Sequence, residues 1–395
     1  MFGCVILRAA TLLVCLLIAA STFSAEQTQR PDSYRYGGVT LDQWRKRVID
    51  FDAQGPQAGA SVAPLMEILA DEQVDAVTRR NAALALGSIR GPARSVTPQL
   101  IKMTLAGDEA SAWAAKALSL MGPAARDATD ELSRIARDED QDRMLRLLSL
   151  EALGQIGGAH PQAVPALVSV VTDAEDPALR KLAIEALGIA GRDAAIAGPM
   201  LVRILRNPRE EDEIRRQSTI TLGKLGDQAA IAVGPLAETL VFDESEAVRD
   251  AAALSLATLG PRGQAMLLRF LKHEDSNLRW RAAMALGDIE GQTGDVQAAL
   301  MSALEDADLH VQLRAAQSLV KLKTDLADVI PTILRLMQSD DRMTRIDAVE
   351  LLVSLGDDAK VAMPSLEEMA DSESDDVRRT AKLAIKRLTA TPVRE

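Results

Sequence analysis

Sulfur, imidazole and aromatic side chains are all scarce in this chain. Its 395 residues include two cysteines, three histidines and only 3% aromatics. Both cysteines, Cys4 and Cys15, precede any helical signal. The rest has no disulfide, no thiol nucleophile and no Cys-x-x-Cys-His for haem, and must be held by its core alone. No Gly-x-Ser-x-Gly elbow and no Gly-x-x-x-x-Gly-Lys phosphate loop occurs, which leaves the common hydrolase and nucleotide motifs unmatched. Strand-type alternation is absent too. The 45 basic residues face 57 acidic ones, a net charge of −12. A surface of that sign repels phosphate backbones and anionic lipid heads, so no nucleic-acid partner is expected.

The ends differ from the body. Arg8 closes a short positive start, and Ala9 to Ala20 form an apolar run broken only by Thr11. Small residues follow at Ser21, Thr22, Ser24 and Ala25. This reads as a secretory signal peptide over 1–25, too short to span a bilayer. The chain is therefore expected to be exported, periplasmic or extracellular, without stable membrane insertion after cleavage. Residues 26–39 are polar and read as extended, with a break at Gly37-Gly38. Thr40 and Gln43 form a capping-box pattern ahead of Trp44, which opens a capping helix over 40–53. Residues 391–395 contain Pro392 and read as a frayed tail. Between these ends no linker is visible, so one elongated domain is expected over 57–390.

That domain repeats itself ten times, about every 33 residues. The repeats align on Gly87, Ser119, Gly154, Gly188, Gly223, Ala257, Gly287, Val320, Val353 and Lys386. One residue before this anchor stands Leu, or Ile385 in the last copy; five before it stands Ala or Ser in every copy. Nine before and two after, the side chain is mostly apolar. These steps place one stripe along an α-helix, and the small residue implies close approach of a neighbouring helix. A preceding helix often opens with proline, as at Pro64, Pro98, Pro165 and Pro199, where the missing N–H costs nothing. Between the two helices, Asp75, Asp142, Asp176, Asp275 and Asp341 stand where a carboxylate can accept from free amides.

Eight before the anchor stand Arg79, Arg146, Arg180, Arg215, Arg249, Arg279, Arg345 and Arg378; only Ser111 and Gln312 break the row. An anionic ligand could use such a ladder. A residue recurring in nearly every unit is better explained by the common fold, its stem packed on the next repeat and its fork bonding turn carbonyls or carboxylates.

The segments from Asp75 to Gly87 and from Asp176 to Gly188, both Asp-x-x-x-Arg-x-x-Ala-x-x-Ala-Leu-Gly, resemble the HEAT-repeat family, particularly short repeats of the phycobilisome-lyase type. The resemblance covers about 62–388, and Tyr36-Gly37-Gly38 with Leu41 and Trp44 resembles the opening of exported bacterial HEAT proteins. It implies an all-α, armadillo-like solenoid, a right-handed superhelix with second helices on the concave side. The ankyrin and tetratricopeptide signatures are absent.

Three histidines, His160, His273 and His310, offer little for a metal. The pair His273-Glu274 is similar to motifs of deoxyhypusine hydroxylase, an iron enzyme of HEAT-like units, but one pair stands where that enzyme needs several. No metal, cofactor or catalytic residue is therefore assigned, and the reading is a non-catalytic scaffold for a protein or peptide. A metal-dependent hydroxylase, a chromophore lyase or a structural spacer are the alternatives. On the second helices, positions seven and three before the anchor point outward. Trp280, Leu313 and Ile346 align there in successive repeats with Met284 beside Trp280, an apolar row of the kind that forms binding hot spots. Ala252 is expected under a neighbouring helix and Asp250 toward solvent. Ala252→Leu should therefore destabilise by about 1–3 kcal/mol through overpacking, and Asp250→Leu by far less, as read from denaturation midpoints.

Overall fold

The computed structural model describes residues 29–49, 51, 58–89, 92–106, 109–226, 231–289 and 294–389. The signal peptide read over 1–25 and the tail over 391–395 lie outside them. The chain divides into two compact units, Met1–Ala124 and Ala125–Glu395, where the sequence suggests one domain. The boundary falls inside the 3-10 turn Gly122–Ala128 and not in a linker.

In the first unit the segment read as extended folds back on itself. Strand β1 (Arg35–Tyr36) pairs antiparallel with β2 (Val39–Thr40), and Gly37 and Gly38 take φ of +55° and +81°. A two-residue hairpin turn of this hand requires such left-handed residues. Thr40 then caps α1 (Leu41–Arg47): its side chain accepts from the Gln43 amide, and the Gln43 side chain accepts from the Thr40 amide. The helix stops at Arg47, six residues short of the expected end, and Ile49 just beyond it is exposed. Trp44 Nε1 donates to the Tyr36 carbonyl at 3.0 Å, and the Tyr36 hydroxyl donates to Asp71 at 2.7 Å. Burial, then that bond to a carboxylate, pushes the Tyr36 phenol well above its ordinary pKa. Arg30 on Asp71 and Arg45 on Asp75 tie the same cap to the first repeat.

Two helix pairs complete this unit: α2 (Val62–Ala70) with α3 (Ala76–Ile89), and α4 (Thr97–Thr104) with α5 (Glu109–Met121). The second unit contains eight. Repeats 3 to 6 are α6 (Thr129–Arg137) with α7 (Arg143–Ile156), α8 (Ala163–Asp173) with α9 (Pro177–Ala190), α10 (Gly198–Leu205) with α11 (Asp212–Lys224), and α12 (Val233–Phe242) with α13 (Glu246–Thr258). Repeats 7 to 10 are α14 (Gly260–Phe270) with α15 (Ser276–Leu286), α16 (Gly294–Ala303) with α17 (Leu309–Lys321), α18 (Val329–Leu336) with α19 (Arg342–Ser354), and α20 (Met363–Ala370) with α21 (Asp375–Thr389). Carboxylates cap many of the second helices; Asp142, Asp176, Asp275, Asp308 and Asp341 each accept from an amide of the first turn.

Along the second unit each second helix packs on the next, whereas consecutive first helices are more loosely packed. The cause is side-chain size. The Ala or Ser five before the anchor is fully buried in all ten repeats. At the anchor itself a side chain has no room: a Cβ on Gly154 would stand 2.8 Å from Ala186 Cβ and 2.9 Å from its Cα. Two before the anchor, hydroxyls bridge to the preceding helix. Thr221 donates to the Ile184 carbonyl at 2.9 Å, Ser255 to Thr219 at 2.9 Å, and Ser318 to Ala283 at 2.7 Å. Three after the anchor the chain turns through a left-handed residue, glycine at Gly122, Gly157, Gly191, Gly226, Gly260 and Gly356, and Lys323 in repeat 8. Repeat 10 carries exposed Lys382 and Lys386 where the other repeats carry small or apolar residues.

Helical Gly→Ala normally stabilises by up to about 1 kcal/mol. Gly154→Ala should instead lower the denaturation midpoint, because the new methyl meets Ala186 backbone. Gly234→Ala, with nothing within 4 Å of the added carbon, should raise it or leave it unchanged. A rise in both would show that α7 and α9 do not approach so closely.

Candidate interaction surface

The outward face of the second-helix layer changes character at repeats 5 to 7. Three before the anchor, the other repeats present Glu151, Glu185, Gln317 or Glu350 among their residues, but here Ile220, Leu254 and Met284 follow one another. Between α11 and α13 lies a groove of about 580 Å³. Ile220, Leu254, Ala247 and Ala251 line it, with Gly223, Ser255 and Thr258 at one end and Arg216, Lys224 and Asp250 at its rim. Small residues make the depression: Gly223 and the two alanines leave the space, while Thr258, donating to the Gly223 carbonyl at 2.8 Å, holds the helices together. Leu254 is 39% exposed.

The rim leads to Trp280. Asp250 accepts from Arg281 Nε at 2.7 Å, and the Arg281 guanidinium lies 4.3 Å from the Trp280 ring centre. A second guanidinium, that of Arg314, stands 5.9 Å from the same ring. Both distances are those of cation–π contact. Trp280 is half-buried, as are Met284 and Ile346.

Leu313 is different, and the row read from the sequence is corrected here. Its side chain is only 2% exposed, so Trp280, Leu313 and Ile346 do not form one open strip. The helix that carries it, α17, is flanked on both sides by α15 and α19. Its approach to α15 is close: a Cβ on Gly287 would stand 2.5 Å from Ser318 Oγ. A residue at the margin of the buried stripe is covered at such a seam. At the position three before the anchor, repeats 5 to 7 place Leu254 in the open with Ile220 and Met284 half-buried on either side. A run of Ile, Leu and Met bounded by Glu185 and Gln317 is visible in the sequence, but isolated leucines such as Leu84 and Leu147 occur at outward positions elsewhere and mask it.

Asp250 faces solvent as expected, with 41% of its side chain exposed, but it also holds a partner. Arg281, its partner, is 3% exposed, and its further bond is to the Asn277 carbonyl at 3.2 Å. The carboxylate thus neutralises a buried charge. Ala252 is fully buried.

The arginine ladder is bonded throughout. Each member from Arg79 to Arg378 donates to main-chain carbonyls around its own inter-helix turn, as Arg79 does to Val74, Arg146 to Ala136, Arg249 to Asp243 and Arg378 to Glu373. Four members also reach the following repeat: Arg180 grips Glu210, Arg215 grips Asp243, Arg279 grips Asp306, and Arg345 bonds Asp376. The exceptions do the same work, Ser111 donating to Met103 and Gln312 to Asp306. The bond from Arg180 holds the Glu210 carboxyl below its ordinary range. Outside the ladder, bonds from Arg216, then Lys181, lower Glu213 to about 2. Each ladder arginine is thus tied to the turn of its own repeat.

Among the described residues no group of three or more His, Cys, Asp or Glu is placed to hold a metal. His160 and His273 each accept a main-chain amide two residues on, and His273 and His310 are exposed. No helix among the described residues is long and apolar enough to cross a membrane.

The profile of HEAT repeats matches residues 97–188, 129–210, 233–319 and 297–386, more than half of the chain. The chain belongs to the HEAT-repeat family. No curated protein matches the sequence. Among solved structures, an engineered protein shares 20% identity over 83% of this chain and 98% of its own, with a TM-score of 0.37. Human deoxyhypusine hydroxylase in complex with glycerol shares 21% over 67% of this chain and 96% of its own, at 0.31. Kap95p, solved with RanGDP, shares 14% over 96% of this chain and 60% of its own, at 0.45. Such likenesses assign no activity to this HEAT protein.

Removing the partner of a buried guanidinium strands its charge, a cost of about 1–3 kcal/mol for the half-exposed Asp250. Asp250→Leu should therefore destabilise about as much as Ala252→Leu, and Arg281→Met with Asp250→Leu should recover much of the loss. A midpoint for Asp250→Leu equal to wild type would show that the pair is not formed.

Proposed function

We propose that this is an exported, non-catalytic scaffold that takes up a protein or peptide segment on the second-helix layer of repeats 5 to 7. The observation that carries this reading is the accessible apolar groove of Ile220, Leu254 and Ala247, continued at its rim by Trp280 and Met284. Nothing in the repeat requires apolar residues there, since equivalent positions elsewhere carry Lys or Glu. Accessible Leu, Met and Trp beside small residues are the composition of a docking surface, in which a few anchors supply most of the affinity. Ile346 is half-buried two repeats away from Trp280, and Leu313 between them is a core residue with no direct role in docking. Export rests on the sequence of residues 1–25.

Capture from the exported fraction tests the reading. Leu254→Glu combined with Trp280→Ala should abolish partner capture while the denaturation midpoint stays within about 1 kcal/mol of wild type. Undiminished capture by a folded double variant would place the site elsewhere; metal retained by purified protein, or turnover lost on changing His273, would favour an enzyme.

A further inference from the structure

The groove's surroundings differ in charge from the chain average. The chain as a whole carries −12. On the outward face of repeats 4 to 8, however, the cations Lys181, Arg216, Lys224, Arg281, Arg314 and Lys321 stand among the acidic residues Glu185, Glu213, Glu246, Asp250 and Asp288. Most of these cations are already spent. Lys181 and Arg216 both pair with Glu213, Arg281 with Asp250, and Lys321 with Asp288. Two have no carboxylate partner among the described residues: Lys224, exposed at the groove's rim, and Arg314, whose side-chain bond is to Gln317 Oε1 at 2.8 Å. Arg314 sits against Trp280 with donors of its fork unused. The two free cations thus stand at opposite ends of the accessible apolar row Ile220, Leu254 and Met284.

We propose that the segment docked on this face is apolar at its centre and acidic at its flanks, its carboxylates meeting Arg314 at one end and Lys224 at the other. This rests on the docking reading above and names the chemistry of the occupant. Lys224 belongs to repeat 5 and Arg314 to repeat 8, three helix steps apart, a span of about 25–30 Å. An extended segment of about eight residues bridges that distance, with room for apolar side chains over Leu254 and Met284 between its charged ends. The planar fork of Arg314, preordered by the indole, suits a carboxylate better than the surrounding paired cations do. A basic segment would meet the same two cations, while Glu213 and Asp250 are already held by arginines.

Trp280 provides the measurement. The other tryptophans, Trp44 and Trp113, are 2% and 5% exposed, so collisional quenching reports chiefly on Trp280. Between two guanidinium groups it should be quenched more strongly by iodide than by caesium. Three synthetic peptides then serve as probes, spanning about ten residues each: a leucine-rich centre between glutamates, the same centre between lysines, and a serine-rich centre between glutamates. The first should bind and shield Trp280, at least about tenfold tighter than either other. Lys224→Glu with Arg314→Glu should transfer the preference to the lysine-flanked peptide, in a protein of unchanged helicity. Equal binding of both leucine-centred peptides, lost in Leu254→Glu, would overturn the charge assignment and leave the apolar docking site standing. Tighter binding of the lysine-flanked peptide by wild type would likewise overturn it. If no peptide bound, both the occupant and the groove as a docking site would fall.

Discussion

Everything in this molecule depends on how closely neighbouring second helices lie. The approach is set by three positions along one face of each helix: an Ala or Ser five before the anchor, a small residue or hydroxyl at most second positions before it, and in five repeats a glycine at the anchor. Where helices come this near, their backbones are within reach of each other's short side chains, and Thr221, Ser255 and Ser318 use that to donate to carbonyls of the preceding helix. Larger side chains at these points would wedge the layer apart, and no distant part of a repeat structure could compensate, because each unit is buttressed only by its neighbours.

The arginine ladder serves the same end on the other side of the repeat. Each guanidinium ties the turn between its own two helices, and four tie the following turn as well. The acidic residues of the turns are therefore structural counter-charges as much as surface. This explains how a chain with a large excess of carboxylates keeps buried arginines, and why eight aligned arginines need no ligand. A buried guanidinium is tolerable only when its donors are satisfied, and carbonyls at the end of the preceding helix are always available at this place in the fold.

Against that uniform framework, the face of repeats 5 to 7 is irregular. Apolar residues stand at an outward position, two tight helices leave a groove between them, and among the described residues Lys224 and, in the adjoining repeat 8, Arg314 go without carboxylates. The framework neither needs nor excludes these features. In a repeat protein, departures from the common pattern at exposed positions are where function can be written without disturbing the stack.

The all-α class, the repeat length, the buried stripe, the carboxylate caps and the capping box at Thr40 follow from the sequence, because each depends on neighbours within one or two turns of chain. Periodicity carries that information directly. The turn glycines three after the anchor also recur in the sequence, a signal that reading from periodicity missed and that their left-handed conformation explains. What periodicity could not supply is which edge of the stripe a neighbour covers. Trp280 and Leu313 occupy the same position in successive repeats, yet one is half-buried and the other is core, a difference that the repeat pattern does not encode. Asp250 is outward by its helix position, but it also serves as counter-charge to a buried guanidinium from the next repeat. Those outcomes depend on side chains about thirty residues apart in sequence, whose meeting only the tertiary packing decides.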